Sequence, residues 1–200
     1  MNYGLGNLKS IENIINHIGG KCLISSSPEM ISHAEKLILP GVGAFDSGMK
    51  LLKEKGLIEP LNYAVNQNKT PTLGICLGMQ LMLERSEEGN LPGLGWIKGE
   101  VKKFNFDCMD VDLKIPHMGW NKIQVVRPNP IIESNKSYRF YFTHSYHVEC
   151  EPEIVVATTN YGKDFVSIFA DQNIWGVQFH PEKSHKFGMD LFKNFLKYNA

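Results

Sequence analysis

Apolar positions recur along this chain with two different periods. Leu8, Ile11, Ile14, Ile15 and Ile18 return at steps of three and four and stop at Gly19-Gly20, which predicts an amphipathic helix closed by glycine. "KLILPG" (36–41) is a short continuous apolar run ending in a turn, the pattern of a buried strand. Met49 to Asn66 returns to the helical period, with a break expected around Gly56 and Pro60. "TPTLGI" (70–75) predicts a second buried strand, and "CLGMQLMLERSEE" (76–88) a helix directly after it.

Short apolar strands alternating with helices predict an α/β fold in which a mostly parallel sheet is covered on both faces. From about Gly93 the pattern changes. "WIKGEVKKF", "KIQVV", "RFYFTHSYHVE", "IVVATTN", "FVSIFA" and "IWGVQFH" read as strands separated by short turns, an antiparallel or mixed section added in the C-terminal half. Phe187, Leu191, Phe192, Phe195 and Leu196 mark one face of a closing helix. A parallel α/β domain normally opens on a buried strand, yet only "MNYG" precedes the turn "GLGN", so the sheet is expected to lack that strand. "GLGNLK" itself lacks the third glycine and the preceding strand of a dinucleotide-binding loop.

Composition narrows the functional classes. Two hundred residues without repeat or linker fit a single domain spanning 1–200. Lys plus Arg equals Asp plus Glu, so no global charge steers the chain to nucleic acid or an anionic membrane. Cys22, Cys76, Cys108 and Cys150 are widely spaced, neither a zinc-ribbon pattern nor a disulfide framework, and this fits a reducing cytoplasm. No apolar run approaches the ~18 residues of a membrane span. His144 and His147, three apart in one predicted strand, are expected on opposite faces, a poor geometry for one metal. His117 and His185 read as interface or surface groups, and His17 and His33 as solvent-facing.

The chemistry gathers around "GICLG" (74–78). Gly-x-nucleophile-x-Gly at a strand-to-helix turn lets the chain bend sharply and hold the central side chain above the sheet. It also sets Cys76 at a helix N-terminus, where dipole and free N–H groups favour a thiolate. A packed core cysteine beside a glycine turn would give the same letters. A thiol nucleophile needs a base, and the base an orienting group. "GVQFHPEKS" (176–184) carries both, because His180 and Glu182 flank Pro181, which holds the backbone extended. "LPGVGAF" (39–45) is a glycine-rich loop after a strand whose N–H groups around Val42 and Gly43 can serve an oxyanion.

"LPGVGAFDSGM", "LGICLGMQLM", "PHMGWN", "YFTHSYHVE" and "GVQFHPEKS", in this order, resemble the class I (triad) glutamine amidotransferases over nearly the whole chain. "YGLGNLKS" and "PHMGWN" make it most similar to the glutaminase subunits of imidazole glycerol phosphate synthases, of histidine biosynthesis. The resemblance implies a flavodoxin-like three-layer sandwich without cofactor. It implies Cys76 as nucleophile on the side-chain amide of L-glutamine, His180 as general base and acid, and Glu182 as its orienting partner. It further implies Leu77 with Val42 and Gly43 at the oxyanion. Gly41, Gln80, Glu88 and the backbone of His144, Ser145 and Tyr146 would line the glutamine pocket. Asn7, Met118 and Trp120 would lie at the docking face of a (β/α)8 cyclase partner, in a heterodimer that passes ammonia without release. "HPEKSHKFGM" and "FNFDCMDVDLKIP" also resemble a paralogous branch that supplies ammonia to a synthetase amidating a nine-carbon surface sugar. A free-standing cysteine hydrolase and a non-catalytic docking subunit are the rival classes; the intact set of Cys76, His180 and Glu182 argues against the second.

Overall fold

The computed structural model describes residues 1–106 and 113–198, so Cys108 and part of "FNFDCMDVDLKIP" lie outside the described residues. Its core is a three-layer sandwich. Strand β1 (Leu37–Gly41) and strand β2 (Thr72–Cys76) pair in parallel, and strand β10 (Ile174–Val177) joins β2 on its other side, also in parallel. All five residues of β2 and all four of β10 are buried, because helices cover both faces. On one face lie α1 (Leu8–His17), through Ile11 and Ile15, and α6 (His185–Lys197), through Leu191, Phe192 and Phe195, packed on Leu73, Ile75, Trp175 and Val177. The opposite face carries α2 (Pro28–Ser32), α3 (Phe45–Glu54) and α4 (Ile58–Asn62), with Phe45, Leu52 and Leu61 against Leu37 and Leu39.

The helix expected from Met49 begins earlier, at Phe45, and stops as anticipated at Gly56, whose φ of +64° fits a glycine helix end. After β2 the helix is far shorter than its sequence pattern suggested. This α5 covers only Leu77–Leu81. The loop 93–97 explains its early end: Leu94, Trp96, Gly95 and Gly93 donate backbone N–H groups to the carbonyls of Leu81, Met82, Leu83 and Glu84, which another helical turn would have used internally. A two-residue strand β3 (Arg85–Ser86) follows.

The C-terminal half supplies the antiparallel section: β4 (Gly99–Lys103), β5 (His117–Val125), β6 (Tyr138–His144), β7 (Tyr146–Cys150), β8 (Val155–Tyr161) and β9 (Lys163–Asp171). The sheet runs β1-β2-β10-β9-β7-β4-β3, with β8 on β9, β5 on β8 and β6 on β5. β5 starts five residues before the expected "KIQVV", absorbing "HMGWN". The run 139–149 is not one strand. It breaks at Ser145, whose carbonyl turns to accept from Phe104 N, so β6 pairs with β5 while β7 pairs with β4 and β9.

That break overturns the expectation that His144 and His147 face opposite ways. Both rings contact Phe104, at centroid distances of 5.3 and 4.8 Å. His117 is likewise not a surface group: it is 3% exposed, stacked between Tyr161 and Phe142. The alternation of β5 places it inward, with Met118 outward. His17, His33 and His185 are exposed.

Among the described residues no strand precedes β1, and a groove lies beside it. Met1 N donates to Ile38 O at 2.9 Å and Asn2 N to Ser25 O at 2.7 Å. Behind Met1 lies a cavity of about 940 Å³ walled by Ile11, Ile15, Leu37, Ile38, Phe195 and Leu196, with Leu23 and Met30 exposed at its rim.

Candidate active site

Cys76 ends β2 and caps α5 with φ 53° and ψ −110°. A positive φ in a residue with a side chain is strained, by roughly 1–3 kcal/mol, and it lifts the sulfur out of the strand. The turn is locked by contact with β1. A Cβ on Gly78 would sit 1.7 Å from the carbonyl oxygen of Leu39, so only glycine lets α5 approach β1 this closely. Register places Gly41 directly beside Cys76, so the loop through Val42 and Gly43 leaves β1 next to the thiol.

His180 arrives at the same place from the other end of the chain. After β10 its N–H donates to Tyr141 O at 2.8 Å, and Ser184 clamps the turn, its hydroxyl donating to His180 O and accepting from Tyr141 N. α6 closes on that turn: a Cβ on Gly188 would lie 1.8 Å from Pro181 O. His180 Nδ1 lies 2.7 Å from Glu182 Oε1, and Asn7 Nδ2 donates to the same oxygen, also at 2.7 Å. Both members of the pair are buried. Burial on its own would lower the His180 pKa, but the hydrogen bonds and charges of Cys76 and Glu182 outweigh it and carry the ring up to about 10. Burial opposes the Glu182 carboxylate too, and its bonds to His180 and Asn7 hold it below the usual value. His180 Nε2 makes no hydrogen bond of good geometry, yet the Cys76 sulfur is near enough to couple to the ring. The thiol itself is directed at Thr143 O, 4.0 Å away.

The other expected residues gather around this centre. Gln80, buried on α5, donates to Tyr146 O at 3.2 Å and to Gln178 Oε1 at 3.1 Å, and Gln178 Nε2 lies 3.8 Å from Cys76 Sγ. Glu88 Oε2 accepts from Phe45 N at 2.8 Å; desolvation, with help from Asp46, raises its pKa. His144 Nδ1 lies 2.8 Å from Tyr146 O, which can only accept, so that nitrogen carries the proton. His144 Nε2 then accepts from His117 Nδ1 at 3.0 Å. Burial keeps both rings neutral, lowering them to about 3 and about 4. Met118 and Trp120 stand on the outer face of β5, 63% and 39% exposed, with Trp120 stacked on His185.

Cys22 and Cys150 are poor rivals to Cys76. Burial raises both thiols, Cys150 to about 12, and among the described residues neither has a histidine partner.

Gln178, Thr143, Ser184 and the Asn7–Glu182 bond were not foreseen. Gln178 left a trace, since a glutamine in an apolar strand two residues before His180 projects to the same side. The others depend on contacts between distant segments.

The model of the family described as glutamine amidotransferase class-I matches residues 2–198. The chain belongs to the class I glutamine amidotransferases. Among curated relatives, this amidotransferase is 53% identical to "Imidazole glycerol phosphate synthase subunit HisH 2" of Methanococcus maripaludis, over 98% of the chain and 97% of the relative. It is 48% identical to the protein of that same name from Pseudomonas aeruginosa, with the same coverage. Its fold matches a crystal structure of a glutamine amidotransferase with a TM-score of 0.73 at 18% identity, covering 96% of this chain and 94% of that one. A Trypanosoma brucei CTPS glutaminase domain matches with a TM-score of 0.64 at 15% identity, covering 96% and 89%.

Proposed function

We propose that this amidotransferase is the glutaminase subunit of an imidazole glycerol phosphate synthase, hydrolysing L-glutamine and handing the ammonia to a (β/α)8 cyclase subunit. The observation that carries the chemistry is the buried His180–Glu182 pair beside a sulfur presented on a strained turn. Cys76 Sγ, its proton passed to His180 Nε2, attacks the side-chain amide carbon of glutamine. The oxyanion is met by N–H groups of Leu77 and of the loop at Val42 and Gly43. Collapse expels ammonia with the proton from His180 and leaves a glutamyl thioester. Water, deprotonated by His180, then cleaves the thioester to glutamate and restores the thiol.

Glu182, fixed by Asn7, holds the ring with Nε2 toward the sulfur. Gln80 and Glu88 are the groups for the amino-acid end of glutamine, where the remaining Gln80 Oε1 and the Glu88 carboxylate can accept from its α-amino group, and the exposed Met118 and Trp120 are the docking face. Turnover in isolation is expected to be slow and to rise when the partner docks.

The names of the relatives support the histidine pathway, and cytoplasmic location goes with it. A second reading, ammonia supply to a synthetase amidating a nine-carbon sugar, rests on the resemblance of "HPEKSHKFGM" to that branch. The test is to mix the chain with each partner and measure glutamine-dependent product. Coupling only to the cyclase is expected, with loss of activity in Cys76→Ala and severe impairment in Cys76→Ser. Coupling only to the synthetase moves the chain to the second pathway, and glutaminase activity surviving Cys76→Ala overturns the mechanism.

A further inference from the structure

We infer that Gln178 is an obligate hydrogen-bond donor to the Cys76 sulfur, its polarity imposed through Gln80 by the main-chain carbonyl of Tyr146. The inference rests on Cys76 being the nucleophile, and it concerns what stabilises that sulfur besides His180.

A side-chain amide has a donor end and an acceptor end, and which end faces which way is decided by the partners. Here a fixed group decides. Tyr146 O can only accept, so Gln80 presents Nε2 to it at 3.2 Å. The second hydrogen of the same nitrogen is directed at Gln178, 3.1 Å away, which therefore turns its Oε1 toward Gln80. Gln178 is left with Nε2 facing Cys76 Sγ at 3.8 Å. Flipping either amide would set donor against donor or acceptor against acceptor in a site where Gln178 is fully buried and Gln80 almost so. The Gln178 backbone is held as well, its N–H on Ser167 O at 3.0 Å.

The consequence is specific to the charged state of the sulfur. A thiol can give its hydrogen to Thr143 O, whereas a thiolate has no use for that carbonyl and needs donors. Gln178 Nε2 is a donor already aimed at it, in a buried setting where a hydrogen bond to a charged group counts for more than one to a neutral group. Gln80 is the residue assigned to the glutamine substrate, so pocket and nucleophile share one rigid amide pair.

The test reads the sulfur directly. On the full chain, the rate of Cys76 alkylation by iodoacetamide is followed as a function of pH, with the Cys76 peptide resolved from the other cysteines by mass spectrometry. Gln178→Met keeps length and removes the donor; the rate at pH 7 falls roughly tenfold and the profile moves to higher pH. Gln178→Glu places an acceptor there and falls further. A merely structural role would lower the melting temperature and leave the profile in place, and that result overturns the inference. Should the variants not fold, the wild-type protein suffices: the side-chain NH2 resonance of ¹⁵N-labelled Gln178 shifts when Cys76 is alkylated, and an unmoved resonance is equally fatal. Neither readout uses glutamine hydrolysis, so failure here is separable from survival of glutaminase activity in Cys76→Ala.

Discussion

Asn7 and Glu182 are joined by a 2.7 Å hydrogen bond across 175 residues of sequence. The bond ties the loop before α1 to the carboxylate that orients His180, and it leaves Glu182 Oε1 shared between an amide and an imidazole. Asn7 was expected at the docking face, and this contact gives it a place in the triad's support as well.

Asn7→Ala leaves Glu182 with one partner fewer. A hydrogen bond to a charged group is worth roughly 1.5–3 kcal/mol, so partner-stimulated kcat for glutamine hydrolysis is expected to fall at least tenfold with KM nearly unchanged. Steady-state kinetics of the complex checks this. A change confined to affinity for the cyclase would assign Asn7 to docking alone.

The triad also makes stability depend on pH in a stated direction. The folded His180 pKa, about 10, lies above its ordinary 6.5, so its contribution is full below pH 6.5 and is lost as pH rises toward 10. Glu182 is held below its ordinary value of 4.5, so its share is present above that pH and is lost as pH falls. Urea midpoints are therefore expected to decline from pH 8 to 9.5, above the range in which the Met1 amine titrates, and to decline less in His180→Asn. A variant with the wild-type slope would show that the imidazolium is not stabilised in the fold.

Gly78→Ala is expected to be severe although it adds a single methyl. The Cβ would meet a main-chain oxygen of β1 rather than a yielding side chain, so α5 and the elbow must move. A loss of about 3 kcal/mol lowers the melting temperature by roughly 6–12 °C, measured by calorimetry, and removes glutaminase activity.

The groove beside β1 predicts an effect of the N-terminus. Burial drives the Met1 ammonium from 8.0 down to about 6, against a small opposing effect of Cys22. The unfolded chain binds the extra proton between those values, so the amine's own contribution slopes upward with pH across that window, by about 2–3 kcal/mol in all, against the opposite slope of His180. Acetylating the amine is expected to abolish this slope.

Local pattern determined a large part of this molecule. The apolar run of β2, the glycines on either side of Cys76 and the rigid His-Pro-Glu turn are properties of neighbouring residues, so the elbow, the base and the alternation of strands and helices could be read directly. Tertiary structure decided what depends on partners far away in the chain. α5 is short because the 93–97 loop takes its carbonyls, and the strand at 139–149 splits because Ser145 answers Phe104. His117 is buried because β5 begins early enough to turn it inward. Gln178 reaches the sulfur, and Asn7 reaches Glu182, only after the sheet has brought β2, β10 and the N-terminal loop together. A hydrogen bond has no sequence period; its donor and acceptor are chosen by packing, and packing is settled by the whole chain at once.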